Sequence, residues 1–206
     1  AESLEAGRAH VEQSLGLRPG PGGQHPHFGT HNLLLGLEDG LYLEVIAVDP
    51  GAPAPAHRRW FDLDRLAGAP RLSNWICAVD DLDDAIARHP SAGVPVDLAR
   101  GDLRWRMAVP EDGILPFDNR FPALIEWRAG GHPSERLPAS GARLERLVVA
   151  HPQAHVLRAE MCDLDASRVV FEPGAPALRA RVQATRRFGM GSPARVRPHR
   201  GLDPAY

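Results

Sequence analysis

Two stretches of this chain repeat one pattern: Thr30 to Val48 (THNLLLGLEDGLYLEVIAV) and Leu103 to Trp127 (LRWRMAVPEDGILPFDNRFPALIEW). In each, an apolar strand runs into Glu-Asp-Gly, and a second strand follows with one carboxylate inside it. Those carboxylates are Glu44 (YLEVI) and Glu126 (ALIEW). A charge within an apolar strand is costly to bury unless it is paired, hydrogen-bonded or bound to a metal. Matching carboxylates in a duplicated unit point to a shared, two-sided site.

The surrounding pattern extends the repeat. Ser3 can cap a helix running to about Leu15, with Gly16 ending it. Arg18 to Gly29 is rich in Pro, Gly and His and reads as a loop or irregular edge strand. Strands at Thr30–Leu37 and Leu41–Val48 meet at Glu38-Asp39-Gly40. Their apolar residues do not alternate cleanly, so both sheet faces should be covered. After a long connection, in which Arg58 to Leu66 can form a short helix, the second copy is more complete. It has a strand at Leu72–Val79, a helix capped by Asp80-Asp81, and strands at Val94–Ala99, Leu103–Pro110 and Ala123–Trp127. A third, shorter strand–helix–strand–strand unit follows. Expected boundaries are 1–70, 71–130 and 143–187, with a loosely held tail at 188–206. Helices alternating with antiparallel hairpins give an α+β fold.

The chain has 206 residues with a net charge of −2, enough to bury a core and without the basic excess that favours nucleic acid. No run approaches the length of a membrane span. All 24 basic residues are Arg, which points to a GC-rich coding sequence and rules out Schiff-base lysine chemistry. Cys77 lies in an apolar strand and reads as a buried, inert thiol. Nothing requires an oxidising compartment, and the amphipathic, acidic start is neither a secretory nor a transit signal, so a cytoplasmic location is expected.

The run GGQHPHFGTHNLLLGLEDGLYLEVIAVDP (Gly22 to Pro50), with FPALIEW closing the second copy, resembles glyoxalase-like domain proteins of the vicinal oxygen chelate superfamily. The resemblance covers about residues 1 to 190. It implies tandem strand–helix–three-strand modules whose cupped, mixed sheets enclose a small-molecule site. It does not select a reaction, because the superfamily holds lyases, isomerases, dioxygenases and metal-free binding proteins. Metal-dependent members take ligands from the opening and last strands of each copy. Glu44 and Glu126 occupy the two last-strand positions. The second copy's opening-strand position falls at Asn74, where histidine is usual, and the first copy's opening strand is absent. Either the sequence is incomplete at its start or the first copy is shortened; unpaired sheet edges favour the former.

Candidate residues follow. Glu44 and Glu126 are expected as catalytic groups or as ligands of a divalent metal, a metal-free site being equally open; ion pairing with Arg104 or Arg106 is the structural alternative. His31, one hairpin from Glu44, can serve proton transfer near neutral pH. Tyr42 shares the face of Glu44. Asn74, Trp75, Arg104, Arg106 and Phe117 are the further candidate substrate contacts. Ile114 to Phe121, absent from the first copy, is a candidate rim or lid. His25 and His27 match no closed zinc spacing and read as exposed loop residues. The expected function is a small-molecule enzyme with a concave site between the modules, or alternatively a metal-free ligand-sequestering protein. A small molecule is the expected partner, with a homodimer as one assembly.

Overall fold

The computed structural model describes residues 1–184. The expected tail, 188–206, lies outside them. The chain folds as α+β with three sheets in sequence order.

Helix α1 (Leu4–Leu15) starts at Ser3, whose side chain accepts from the Ala6 amide at 3.1 Å, and stops at Gly16 in the left-handed conformation. Strands β1 (Gly20–His25), β2 (Thr30–Gly36) and β3 (Tyr42–Val48) form an antiparallel sheet in that order. The Pro/Gly/His stretch is thus an edge strand, bulged between Pro21 and Gln24. Leu33, Leu35 and Val45 pack with Val11 under α1, while the opposite face turns toward the second sheet. This two-sided burial explains the unbroken apolar runs.

The second sheet has the order β4-β7-β6-β5, from β4 (Ile76–Ala78), β5 (Val94–Arg100), β6 (Leu103–Val109) and β7 (Ala123–Ala129). β4 runs parallel to β7, and the helix α2 (Leu82–Arg88), capped by Asp81, leads from β4 to β5. The expected eight-residue opening strand is only three residues long. Its lead-in is held instead by side-chain bonds: Arg120 Nη1 donates to the Ser73 carbonyl, and Trp75 Nε1 donates to the Arg120 carbonyl. The expected Arg58–Leu66 helix reduces to one tight turn at Trp60–Asp62, because Phe61 sits at φ 58°. A single turn, α3 (Pro116–Asn119), breaks the α-helical pattern in the same way.

The third unit comprises β8 (Ala142–Ala150), α4 (Ala154–Glu160), β9 (Val169–Glu172) and β10 (Ala177–Ala184), in the sheet order β10-β8-β9. Two cores organise the rest. Phe28, Trp60, Phe61, Trp105, Met107 and Ile125 fill the space between the first two sheets. Leu82, Phe121 and Leu124 of the second module merge with Val149, Leu157 and Leu178 of the third unit.

Candidate active site in the intermodule cleft

Strand parity decides which side chains reach the cleft. On β2, Asn32 and Leu34 face inward; on β3, Tyr42 and Glu44 do so. Trp105, Met107, Ile125 and Trp127 supply the opposite wall. Trp60 and Phe61, from the connection between modules, fill most of the space. Trp60 stacks on Phe28 at 4.2 Å and meets the His25 ring edge-on at 5.1 Å. The remaining cavity is about 30 Å³, room for water but not for a substrate.

A continuous polar network crosses this apolar setting. The Asn32 amide nitrogen donates to Glu44 Oε1 at 2.6 Å. Its oxygen accepts from the Gly23 amide at 2.7 Å and from Arg100 Nη1 at 3.4 Å. His25 Nε2 lies 3.5 Å from both the Asn32 amide nitrogen and Arg100 Nη1, and Nδ1 lies 3.1 Å from Thr30 Oγ1. Two donors aimed at Nε2 make it the acceptor, so Nδ1 carries the proton and donates to Thr30. Arg100 comes from β5, so the second module contributes the cation and the first contributes the carboxylate.

The electrostatics follow from depth. Burial pushes the Glu44 carboxyl up, against the opposing pull of the Asn32 hydrogen bond and the Arg100 charge. Burial also lowers His25 to about 4, assisted by Arg100 and His31, so His25 is neutral near pH 7. Tyr42 is raised by burial and by Glu44, which keeps its hydroxyl protonated.

Two glycines make the network fit. A Cβ on Gly22 would stand 2.1 Å from Asn32 Oδ1 and 2.5 Å from the Asn32 carbonyl oxygen. One on Gly23 would stand 2.5 Å from Arg100 Cδ. The glycine-rich edge strand is the surface across which Arg100 reaches its partners.

Of the residues expected at the site, Tyr42 and Glu44 line this cleft. Glu126 does not: its face carries it away from Ile125 and Trp127, toward α2. There it accepts from the Leu82 amide at 3.2 Å and pairs with Arg128 at 2.6 Å, with Arg106 at 3.7 Å. The two carboxylates therefore do not converge. His31 also faces away from the cleft, 3.9 Å from Asp49, and Asn32 takes the place expected for it beside Glu44. Arg106 is bound by Asp83, and Arg104 donates to the Gly101 and Leu103 carbonyls. Trp75 and Phe117 pack into the core shared with the third unit. Asn74 lines a separate cavity.

The cleft does not fit a divalent cation. Its single carboxylate is already held by an amide, and the nearest histidine faces an arginine. No group of three or more His, Cys, Asp or Glu residues is arranged to hold a metal among the described residues.

A family model described as a glyoxalase-like domain matches residues 1–164. No curated protein matches the chain. Among solved structures, a hypothetical protein from Staphylococcus aureus is 15% identical with a TM-score of 0.45, covering 70% of this chain; the match spans 64% of that protein's chain. No helix among the described residues is long and apolar enough to cross a membrane.

Proposed function

The chain belongs to the glyoxalase-like domain family, and from that premise we propose that it is a small-molecule enzyme of the lyase or isomerase type, working by proton transfer in the intermodule cleft. The observation that carries this reading is Glu44: an inward-facing carboxyl of raised pKa, fixed by Asn32, with Arg100 reaching in from the other module. A carboxylate so placed acts as a general base on a carbon-bound proton next to a carbonyl. The charge that develops on the carbonyl oxygen is met by Arg100 and the Tyr42 hydroxyl. The proton held on Glu44 then returns to the former carbonyl carbon while the neighbouring hydroxyl's proton passes to the former carbonyl oxygen, completing an isomerisation. Trp105 and Trp127 bind the apolar part of the substrate. Admission requires Trp60 and Phe61 to move, since the cavity around them is only about 30 Å³.

The test is solvent deuterium exchange. Dihydroxyacetone and the hemithioacetal of methylglyoxal with a thiol are incubated with the protein in D2O and followed by proton NMR. Wild type is expected to wash out the proton α to the carbonyl. Glu44→Gln is expected to slow this by about 10²-fold or more, and dialysis against EDTA is expected to leave it unchanged. Equal exchange in Glu44→Gln would remove Glu44 from the chemistry. A second reading, a metal-free sequestering protein, is favoured by the aromatic lining of the cleft. It predicts saturable quenching of tryptophan emission by the same compounds without exchange.

A further inference from the structure

A second cavity, of about 250 Å³, lies between the 61–74 connection and the 114–120 insertion. It is several times roomier than the cleft and far more polar. Arg65, Arg71 and Arg120 stand in its wall with Asp62 and Asp118. These charges are not evenly matched. Asp62 closes the Arg65 fork with bonds of 2.7 and 2.9 Å. Asp118 lies 3.2 Å from His151 Nε2. Arg71 and Arg120 have no carboxylate within ion-pair distance among the described residues: Arg71 donates only to the Ala67 and Ala69 carbonyls, and Arg120 to that of Ser73.

Further signs converge on the same wall. Arg120 Nε and both polar atoms of the Asn74 amide are buried without a hydrogen-bond partner. Orphaned groups of this kind are rare in native structures and mark strain or an unmet partner; Arg8, Glu12, Arg59 and Trp60 carry others outside this wall. The backbone there is also strained. Phe61, Asp62, Phe117, Asp118 and Asn119 all have positive φ, with Asp39 the one other non-glycine residue that does so among those described. Such conformations cost free energy and cluster at binding sites and switches. Burial lowers the Arg120 pKa, against the attraction of Asp118 and with a smaller repulsion from Arg71.

We propose that this second cavity binds a small oxyanion, the carboxylate of a dicarboxylic acid or the phosphate of a monoester, between Arg71 and Arg120. The planar guanidinium groups match either oxyanion bidentately. Asn119 is the adjoining amide residue that can complete it. The proposal is independent of the proton-transfer reading, because the two cavities share only Phe61 among their lining residues.

Calorimetric titration of the full chain with succinate, inorganic phosphate and chloride, at constant ionic strength, tests this. Saturable binding of succinate or phosphate but not chloride is expected, and the preferred ion identifies the source. Arg71→Gln and Arg120→Gln are each expected to weaken binding by about tenfold or more. Arg71 is exposed and makes only backbone contacts, so its variant reads the site even where Arg120→Gln weakens the fold. Glu44→Gln, on the far side of Phe61, is expected to bind unchanged. No saturable binding, unchanged binding in Arg71→Gln, or loss of binding in Glu44→Gln would each overturn the proposal.

Discussion

His25 shows how an environment sets a side chain's chemistry. In sequence it sits among Pro and Gly and reads as an exposed loop residue; in the fold it is 6% exposed, between Trp60 and the Asn32 amide. Its ionised form is penalised by lost water and by Arg100, so its folded pKa of about 4 lies below the ordinary 6.5. The unfolded chain therefore binds the extra proton first. Stability is withheld as pH falls from about 6.5 toward 4, on the order of 3 kcal/mol over the whole window. Glu44 acts in the opposite sense: with its folded pKa raised, stability falls as pH rises above the unfolded value. The two are separated by single substitution. Urea midpoints at pH 7 and pH 5 should draw closer together in His25→Gln than in wild type. An unchanged gap would mean that His25 carries its proton in the fold.

At the scale of elements, the glycines of β1 make a sharper prediction than its histidine. Gly22→Ala drives a methyl group into the Asn32 backbone, which cannot yield, and should cost about 1–3 kcal/mol. Gly23→Ala meets only the flexible end of the Arg100 side chain, Cδ and the guanidinium, which can swing aside. Thermal melts should show the first variant destabilised and the second close to wild type, with Gly23→Ala losing deuterium exchange because Arg100 has moved. The strands themselves were legible from their apolar runs and shared turn. The faces of their carboxylates were not. In the first copy the turn joins its strands directly, with Gly36 opposite Tyr42. In the second, Ile114 to Pro122 intervenes, and spacing counted from the turn no longer fixes parity. A slip of one residue sends a side chain to the other face, and Glu126 lies on the α2 side for that reason. Arg100 and Trp60 carried no signal at all, since neither belongs to a motif and only the closed cleft brings them together.

For the whole molecule, the third unit is bound into the second module. Phe121 and Leu124 share one apolar cluster with Val149, Leu157 and Leu178. The match to the family model ends at residue 164, just past α4 and before β9 and β10 complete that sheet. A chain ending at residue 141 would leave the outer face of the second sheet covered by α2 alone, without Val149, Leu157 and Leu178. It is expected to lose cooperative unfolding and elute as aggregate in size-exclusion chromatography. A monomeric, cooperatively melting fragment would show that the second module is self-sufficient.

Phe61 is a party wall: it lines both the cleft and the arginine-lined cavity. Space won on one side by shifting that ring is taken from the other. Occupants of the two chambers would then bargain over a single side chain without touching. By thermodynamic reciprocity, the factor by which either alters the other's affinity is the same in both directions.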